Sequence, residues 1–453
     1  RLAAEGVIFT NHFVQCPACA PSRYSLLTSQ RPHRSRLKSY TMKAFDLMPK
    51  TCEGHLVSLP HQFKLNGYYT VSIGKISHSP DGRRRGPSIG GVDAYDGVGE
   101  GQPELPFGWD EVYAPFGPWR TAWGAFFAYA GGKTRELGKT SSTEAADVPD
   151  TGYPDGLIAE EAIKKLRELK DRPFFLAVGF YKPHLPFNCP KEYWDAYERD
   201  KIKLAPHPNP PKNIDPNISL HKSYELTPRY TGLATPGKVT DDEARKLLHG
   251  YYACVHYIDR QIGKVLNELG RLGLRGNTVV VVWGDNGWHL GDHGIWGKGT
   301  AFEASLRTPL IVRVPSVSPA GKTADGLVES LDIYPTLCEL CGLDIPKNVD
   351  GTSLVPLIKN PDLPGKRYAC GYYKKGDFLA QTMRTERYRI VHWTDLDNKT
   401  VQVELYDHKI DPDETENIAD RHPDLVKKLM AQMQAGQKPR RQTKGQVSRD
   451  SNR

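Results

Sequence analysis

The alternation of short apolar runs with polar turns and helical segments is the feature that most constrains the fold of this chain. Residues 69–73 and 173–180 are apolar runs of strand length, and residues 278–283 are continuously apolar, as in a strand buried on both faces. The alternation predicts an α/β fold. A cluster of polar residues follows each run, and ligands bind at the carboxyl ends of strands in such sheets. The clusters are therefore the first candidates for a functional site.

A long amphipathic helix is predicted just before the third apolar run. Thr240 has the side chain of an N-cap, and three acidic residues follow it in what would be the first helical turn. Apolar residues then recur at helical spacing as far as about Leu272. We therefore expect one helix from residue 241 to about residue 272.

Length and charge exclude several classes of protein. A chain of 453 residues is larger than one typical domain, which favours a large domain with a smaller one. No apolar run approaches the ~20 residues that cross a bilayer, so no membrane span is predicted. The net charge is +8, but residues 436–453 hold six basic residues and one acidic residue. The excess charge thus lies mostly in a tail that we predict to be disordered, and nothing indicates a nucleic-acid partner.

The character of the sequence changes near residue 365. Residues 387–393 and 401–406 alternate between apolar and polar side chains, and residues 423–433 have the pattern of a helix. We predict a large α/β domain over residues 1–365. Residues 366–435 should form a small antiparallel sheet with one helix, followed by the basic tail over residues 436–453.

The segment around Cys19 reads Cys-Ala-Pro-Ser-Arg, and a helix-compatible run follows it. A side chain at a helix N-terminus lies beside backbone N–H groups that favour an anion, and Arg23 is one turn further on. The segment resembles the C-x-P-S-R signature of the formylglycine-dependent sulfatases. In that family a maturation enzyme oxidises the cysteine to an aldehyde. One hydroxyl of the aldehyde hydrate attacks sulfur, and the other later expels sulfate.

Three further segments resemble the iduronate-sulfatase-like branch of the same family. Residues 74–78 are similar to its Gly-Lys-x-x-His segment, and residues 181–187 are similar to its Lys-Pro-His-x-Pro-Phe segment. Residues 283–298 resemble the segment that supplies two calcium ligands and a sulfate-binding lysine. The resemblance implies an alkaline-phosphatase-like large domain around a mixed sheet, one Ca²⁺ ion, and formylglycine at position 19. It implies these site residues: Cys19, Asp285 and Asn286 at the metal; Arg23 beside the nucleophile; Lys75 and His78 at its hydroxyl; His184 as the acid for the leaving oxygen; Lys298 on the sulfate.

Two long loops interrupt the pattern, namely residues 79–108 and residues 205–237, and loops of this length either bind substrate, cover a site or are disordered. We place the first loop near the substrate, because it follows Lys75 and His78. In the first, Arg83, Arg84 and Arg85 are candidates for contact with a carboxylate or a second sulfate, although a solvated arginine run is equally compatible with the sequence. Lys182 is a further candidate. His289 and His293 are either substrate contacts or structural residues.

The resulting functional prediction is a sulfuric ester hydrolase that acts on a sulfated sugar or polysaccharide. One alternative is a phosphate mono- or diester hydrolase of the same superfamily, and another is a catalytically inactive glycan-binding relative. The resemblance implies a periplasmic or secreted location in a bacterium and a lysosomal one in a eukaryote. Sulfatases also have an Asp-Asp pair at the metal, upstream of the cysteine, and no Asp occurs among the 18 residues before Cys19. We therefore expect the sequence to be a fragment, with residues 1–6 as the end of a helix and its glycine C-cap.

Overall fold

The computed structural model describes residues 1–32, 34–48, 57–83, 103–233 and 239–435, and for residues 34–36 it describes the backbone only. The predicted basic tail, Arg84 and Arg85 lie outside the described residues. The α-helices are α1 Cys19–Thr28, α2 Leu59–Leu65, α3 Ala122–Phe126, α4 Pro154–Leu169, α5 Lys191–Asp195, α6 Pro216–Ser219, α7 Asp241–Arg271, α8 Glu303–Leu306, α9 Ile333–Leu340, α10 Val355–Lys359 and α11 Pro423–Ala435. The strands are β1 Val7–Phe9, β2 His12–Phe13, β3 Tyr69–Gly74, β4 Glu111–Tyr113, β5 Ala128–Tyr129, β6 Lys133–Thr134, β7 Thr143–Ala146, β8 Phe174–Gly179, β9 Phe187–Pro190, β10 Val280–Trp283, β11 His289–Leu290, β12 Trp296–Gly297, β13 Leu310–Arg313, β14 Lys322–Ala324, β15 Val328–Glu329, β16 Ala369–Lys375, β17 Phe378–Arg384, β18 Tyr388–Thr394 and β19 Thr400–Asp407.

Two sheets form the centre of the large domain. Strands β4, β3 and β8 make a parallel sheet in that order, and β10, β13, β1 and β14 make a mixed one. The three apolar runs are thus strands β3, β8 and β10, which confirms the predicted α/β class. The prediction that the third run is buried on both faces is wrong, because all four residues of β10 are only half-buried. Among the described residues β10 pairs with β13 alone, so it lies at the edge of its sheet.

The carboxyl ends of β3 and β8 approach each other so closely that a glycine is required. The amide of Lys75 donates to the carbonyl of Gly179 over 2.9 Å. A Cβ atom on Gly179 would lie 2.1 Å from the carbonyl oxygen of Lys75, which no other residue could tolerate. This close approach fixes the direction in which the chain leaves β3, and therefore the position of Lys75.

Helix α7 confirms the predicted long helix almost to the residue. The Thr240 hydroxyl accepts from the Glu243 amide at 3.3 Å, and the Glu243 carboxylate accepts from the Thr240 amide at 2.7 Å. This reciprocal capping box satisfies two amides that the first turn would otherwise leave unpaired. The helix ends at Arg271, with Leu272 as its C-cap.

The C-terminal part of the chain is a four-stranded antiparallel sheet in the order β16-β17-β18-β19, with α11 packed beside it. The two strands foreseen from alternation are β18 and β19, whereas the sequence pattern missed β16 and β17. Both faces of β16 are buried for most of its length, and a Cβ on Gly371 would lie 3.1 Å from Leu306 of α8. Burial on both faces removes the alternation that marks a half-exposed strand. The boundary at residue 365 remains a prediction.

The first residues differ from the predicted helix end. Ala4 and Glu5 donate to the carbonyls of Arg1 and Leu2 in a turn, and Gly6 does not have the positive φ of a C-cap. A Cβ on Gly6 would lie 2.5 Å from the carbonyl oxygen of Val312, so the glycine is needed where β13 passes. Among the described helices, none combines the length and the apolar character needed to span a membrane.

Candidate active site

Cys19 is the first residue of α1 and is 4% exposed. Its N-cap, Ala18, has extended backbone angles and a side chain that cannot cap the helix. The first amides of α1 are therefore available to an anion at this end of the helix. The Cys19 Sγ lies 3.6 Å from the Oδ1 of Asn286, in the polar loop that follows β10.

Arg23 connects the ends of the two sheets. Its Nε donates to the Oδ2 of Asp285 at 2.8 Å, just beyond β10. Its Nη1 donates to the carbonyl of Lys75 and, at 3.2 Å, to that of Ile76, just beyond β3. One guanidinium thus fixes both strand ends beside the first turn of α1.

Asp285 and Asn286 present oxygen atoms next to Cys19. Burial raises the pKa of Asp285, but the positive charges of Arg23 and Lys75 outweigh burial and lower that pKa to about 2. The carboxylate is therefore ionised at neutral pH. The Asn286 amide nitrogen donates to the Gly287 carbonyl at 2.8 Å, which directs Oδ1 toward the thiol. Carboxylate and amide oxygens are the ligands of a hard cation such as Ca²⁺, so this pair fits part of a calcium shell.

Two buried lysines, Lys75 and Lys298, interact electrostatically with Cys19. Each residue is 3% exposed. The Nζ of Lys75 lies 4.1 Å from the centre of the Phe126 ring, and burial lowers its pKa, with Arg23 and Lys298 lowering it further. Burial also lowers the pKa of Lys298, but Cys19 and Glu225 more than reverse this and raise it above the ordinary value. The Lys298 Nζ is 2.9 Å from the Oε2 of Glu225.

His184 lies in the loop between β8 and β9. Its Nδ1 is 2.7 Å from the carbonyl oxygen of Leu185, and its Nε2 is 3.7 Å from the Oε2 of Glu225. Burial lowers the pKa of His184 well below its usual value, and Lys298 and Lys75 lower it further. In this arrangement the imidazole is neutral at pH 7.

Three further predicted residues, His78, Arg83 and Lys182, make the following contacts. The His78 ring packs edge-on against the Trp123 ring with 5.7 Å between centres. The backbone amide of Arg83 donates to Asp81 at 3.2 Å. Lys182 is 5% exposed, and its ammonium donates to the carbonyls of Pro186 at 2.6 Å and His184 at 3.2 Å. These contacts favour a structural role for Lys182, in holding the loop that presents His184.

His289 and His293 are both buried, at 0% and 3% exposure. The Nε2 of His289 is 2.8 Å from the Thr300 hydroxyl, and its Nδ1 is 3.2 Å from the Asp292 carbonyl oxygen. The Nε2 of His293 is 2.9 Å from the carbonyl oxygen of Asp413. Of the two roles that the sequence left open for this pair, these contacts favour the structural one.

Glu225 is the site residue that sequence reasoning did not select. It lies in the proline-rich loop over residues 205–237, whose length is typical of either a functional or a disordered loop. The loop length was a usable signal. Several charged side chains occur in the loop, however, and no motif distinguishes Glu225 from the others.

A second group of possible metal ligands lies away from Cys19. One ligand atom each from Glu303, His408 and Glu414 falls within 4.8 Å of the others, the one such group among the described residues. The Arg389 guanidinium donates to both carboxylates, and His408 is 2.9 Å from Glu414. With the positive charge already supplied by arginine, these contacts favour a buried ion-pair network that joins β18 to α8.

Comparison with known proteins identifies the family. The sulfatase family matches residues 1–343, and the C-terminal region of N-sulphoglucosamine sulphohydrolase matches residues 291–439. Iduronate 2-sulfatase of Mus musculus is 33% identical over 384 residues, which cover 76% of this chain and 64% of the mouse protein. The chain thus spans slightly less than two thirds of that relative's length.

Two solved structures share the fold. Phosphonate monoester hydrolase of Agrobacterium radiobacter has a TM-score of 0.75 at 22% identity and covers 96% of this chain and 89% of its own. A second protein, solved in complex with its substrate D-glucosamine-2-N,6-O-disulfate, matches this chain with a TM-score of 0.69 at 20% identity. The match covers 97% of this chain and 91% of that protein's chain. These likenesses confirm the predicted alkaline-phosphatase-like architecture. The match of the sulfatase family to residues 1–343, most of the length of the chain, shows that the chain belongs to the sulfatase family.

Proposed function

We propose that this protein is a sulfuric ester hydrolase that removes sulfate from a sulfated sugar. The observation that supports it most is the convergence on Cys19 of an anion-favouring helix end, two buried ammonium groups and an imidazole. Cleavage of a sulfate ester needs a nucleophile, positive charge around the sulfate oxygens and an acid for the leaving oxygen. The described residues contain a candidate for each.

Two groups would complete the chemistry. Formylglycine at position 19, produced by a maturation enzyme, would supply a hydrated aldehyde with one hydroxyl to attack sulfur and a second to release the sulfate. Asp285, Asn286 and residue 19 would hold one Ca²⁺ ion. Calcium takes six to eight oxygen ligands, so other oxygen atoms would have to complete this set.

The side chains of this site have separable roles in the proposal. Lys75 and Lys298, with the first amides of α1, would hold the sulfate oxygens. Arg23 keeps Asp285 ionised and in place. His184 would donate a proton from Nε2 to the leaving oxygen. It must be protonated to do so, and the negative charge of a bound sulfate ester favours the imidazolium form.

A sugar is the proposed carrier of the sulfate because the mouse relative is an iduronate 2-sulfatase. Tyr224, beside Glu225 at the site, is 43% exposed and packs on His221 with ring centres 4.7 Å apart. An exposed aromatic ring held in this way offers a surface for the apolar face of a pyranose. Contacts from Arg83, Arg84 and Arg85 to a carboxylate remain part of the proposal, as does a location in the periplasm, outside the cell or in a lysosome.

The test is sulfate release from a panel of sulfated monosaccharides by protein produced together with a maturation enzyme. We expect release from at least one member and none by Cys19→Ala. Release from no sulfated sugar and no aryl sulfate, by protein with matured residue 19, would refute the proposal.

A phosphate or phosphonate ester is the second candidate substrate class, and the likeness to a phosphonate monoester hydrolase favours testing it. Matched sulfate and phosphate esters of one alcohol separate the two classes by kcat/KM. Binding of glycans without turnover, with Cys19 still a thiol, would instead support the inactive glycan-binding relative.

A further inference from the structure

Glu225 is an acidic residue beside Lys298, one of the sulfate-binding candidates. Its Oε2 lies 2.9 Å from the Lys298 Nζ and 3.7 Å from the His184 Nε2, and its side chain is 15% exposed. Lys298 is almost completely buried, so little solvent screens this pair. The same ammonium that would contact sulfate is thus already paired with a carboxylate.

The segment that presents Glu225 is anchored at several points. His221 donates from Nε2 to the Lys298 carbonyl, and the Ser223 hydroxyl accepts from the Trp296 amide at 2.9 Å. Lys298 is therefore contacted by this segment through both its backbone and its side chain. A carboxylate fixed in this way acts as a permanent part of the site, unlike a surface charge that can rotate away.

The charges of the site can be compared with those of the two candidate ester classes. Arg23, Lys75 and Lys298 are positive, whereas Asp285 and Glu225 are negative. A sulfate monoester has one negative charge. A phosphate monoester has between one and two at neutral pH, because its second pKa is near 6. The extra charge of the phosphate would fall on the oxygens that approach Lys298, next to the Glu225 carboxylate.

We propose that Glu225 is a specificity-determining residue that disfavours dianionic phosphate esters relative to monoanionic sulfate esters. This inference rests on the proposed function, since it assumes that the anion binds at Lys298. Glu225 acts by repelling the second negative charge and by sharing the Lys298 ammonium. A bound cation would alter the affinity for both esters, but removal of Glu225 changes the local charge by one unit in either case.

The test compares kcat/KM for 4-nitrophenyl sulfate and 4-nitrophenyl phosphate in matured wild-type protein and in Glu225→Gln. We expect the phosphate-to-sulfate ratio to rise roughly tenfold or more in the variant, from the repulsion between two charges at short range in a weakly screened site. Glu225→Asp keeps the charge and should restore most of the wild-type ratio. A purely structural role would lower both rates together and leave the ratio unchanged, which would overturn the proposal.

Glu111→Gln is the matched control, because Glu111 pairs with the buried Lys165 at 2.7 Å and is outside the site. It should leave the ratio unchanged. Glu225→Ala removes the same charge if the glutamine variant does not fold. If the wild-type protein hydrolyses neither 4-nitrophenyl ester, the panel of sulfated sugars still decides the proposed function, and calorimetric Kd values for methyl sulfate and methyl phosphate test Glu225 independently in a Cys19→Ala background. A Kd ratio that Glu225→Gln does not shift toward phosphate would then refute the specificity role.

Discussion

Replacing Arg23 with methionine should destabilise the protein and disable the site together. The guanidinium is the partner of Asp285 and of two strand-end carbonyls, and the methionine side chain can replace none of these bonds. The Arg23 and Asp285 side chains are only 12% and 20% exposed, so water can solvate the abandoned carboxylate only in part.

The expected cost follows from that burial. Removing one partner of a buried ion pair costs about 3–5 kcal/mol, because an uncompensated charge remains. Because Asp285 is partly exposed, we expect Arg23→Met to lower the free energy of unfolding by about 3 kcal/mol, the lower end of that range. Adding Asp285→Asn should recover part of this loss, because the unpaired charge is then removed as well.

The assay is urea unfolding at pH 7 with a metal chelator present, so that a bound cation cannot compensate for the lost arginine. Arg167→Met is the control: its Nε is 2.7 Å from Glu268, but the Arg167 side chain is 56% exposed. Its loss should cost clearly less than that of Arg23, because Arg167 is largely in solvent and Glu268 keeps its ion pair with Arg271. We predict that Arg23 stabilises the contact between the ends of the two sheets. An unfolding free energy of Arg23→Met within about 1 kcal/mol of the wild type, or no recovery on adding Asp285→Asn, would contradict this prediction.

Three further predictions concern the acid, a helix cap and a buried lysine. Because the lowered pKa of His184 leaves it neutral at pH 7, kcat/KM for a sulfate ester should rise as the pH falls from 8 toward 5, and a flat profile would exclude it as the acid. Thr240→Ala should cost about 1 kcal/mol in urea unfolding through loss of the capping box, whereas Thr240→Ser should cost much less. Pairing with Lys165 lowers the pKa of Glu111 to about 2, although burial opposes this, so its stabilisation exists above about pH 4.5 and is lost toward pH 2. Glu111→Gln should therefore be about 1 kcal/mol less stable than wild type at pH 7, with the difference shrinking at pH 3, and an equal difference at both pH values would refute this linkage.

The sequence predicted well wherever a local pattern determines structure. The capping box at Thr240 and the helical spacing after it depend on neighbours in the chain, so the limits of α7 could be read directly. Apolar runs marked β3, β8 and β10 for the same reason. The half-exposed state of β10 could not be predicted from the sequence, because the exposure of its side chains depends on which elements of the fold pack against the strand.

Long-range contacts explain what was missed at the site. The motifs around Cys19, Lys75, His184 and Asp285 were recognisable as segments, and the fold brings them together. Glu225 belongs to no motif and acquires its position through the contacts of its loop with Lys298. Lys182 was a candidate for substrate contact, but its ammonium is directed at carbonyls of its own loop.

The most direct test of the account is mass spectrometry of the peptide that contains residue 19, combined with the rate of sulfate release from the same preparations. Varying the amount of maturation enzyme should give preparations with different fractions of aldehyde at this position. We predict that the rate rises in proportion to the aldehyde fraction and is lost in Cys19→Ala. Sulfate release that is independent of that fraction, or that persists in Cys19→Ala, would contradict the central claim that Cys19 is the origin of the nucleophile.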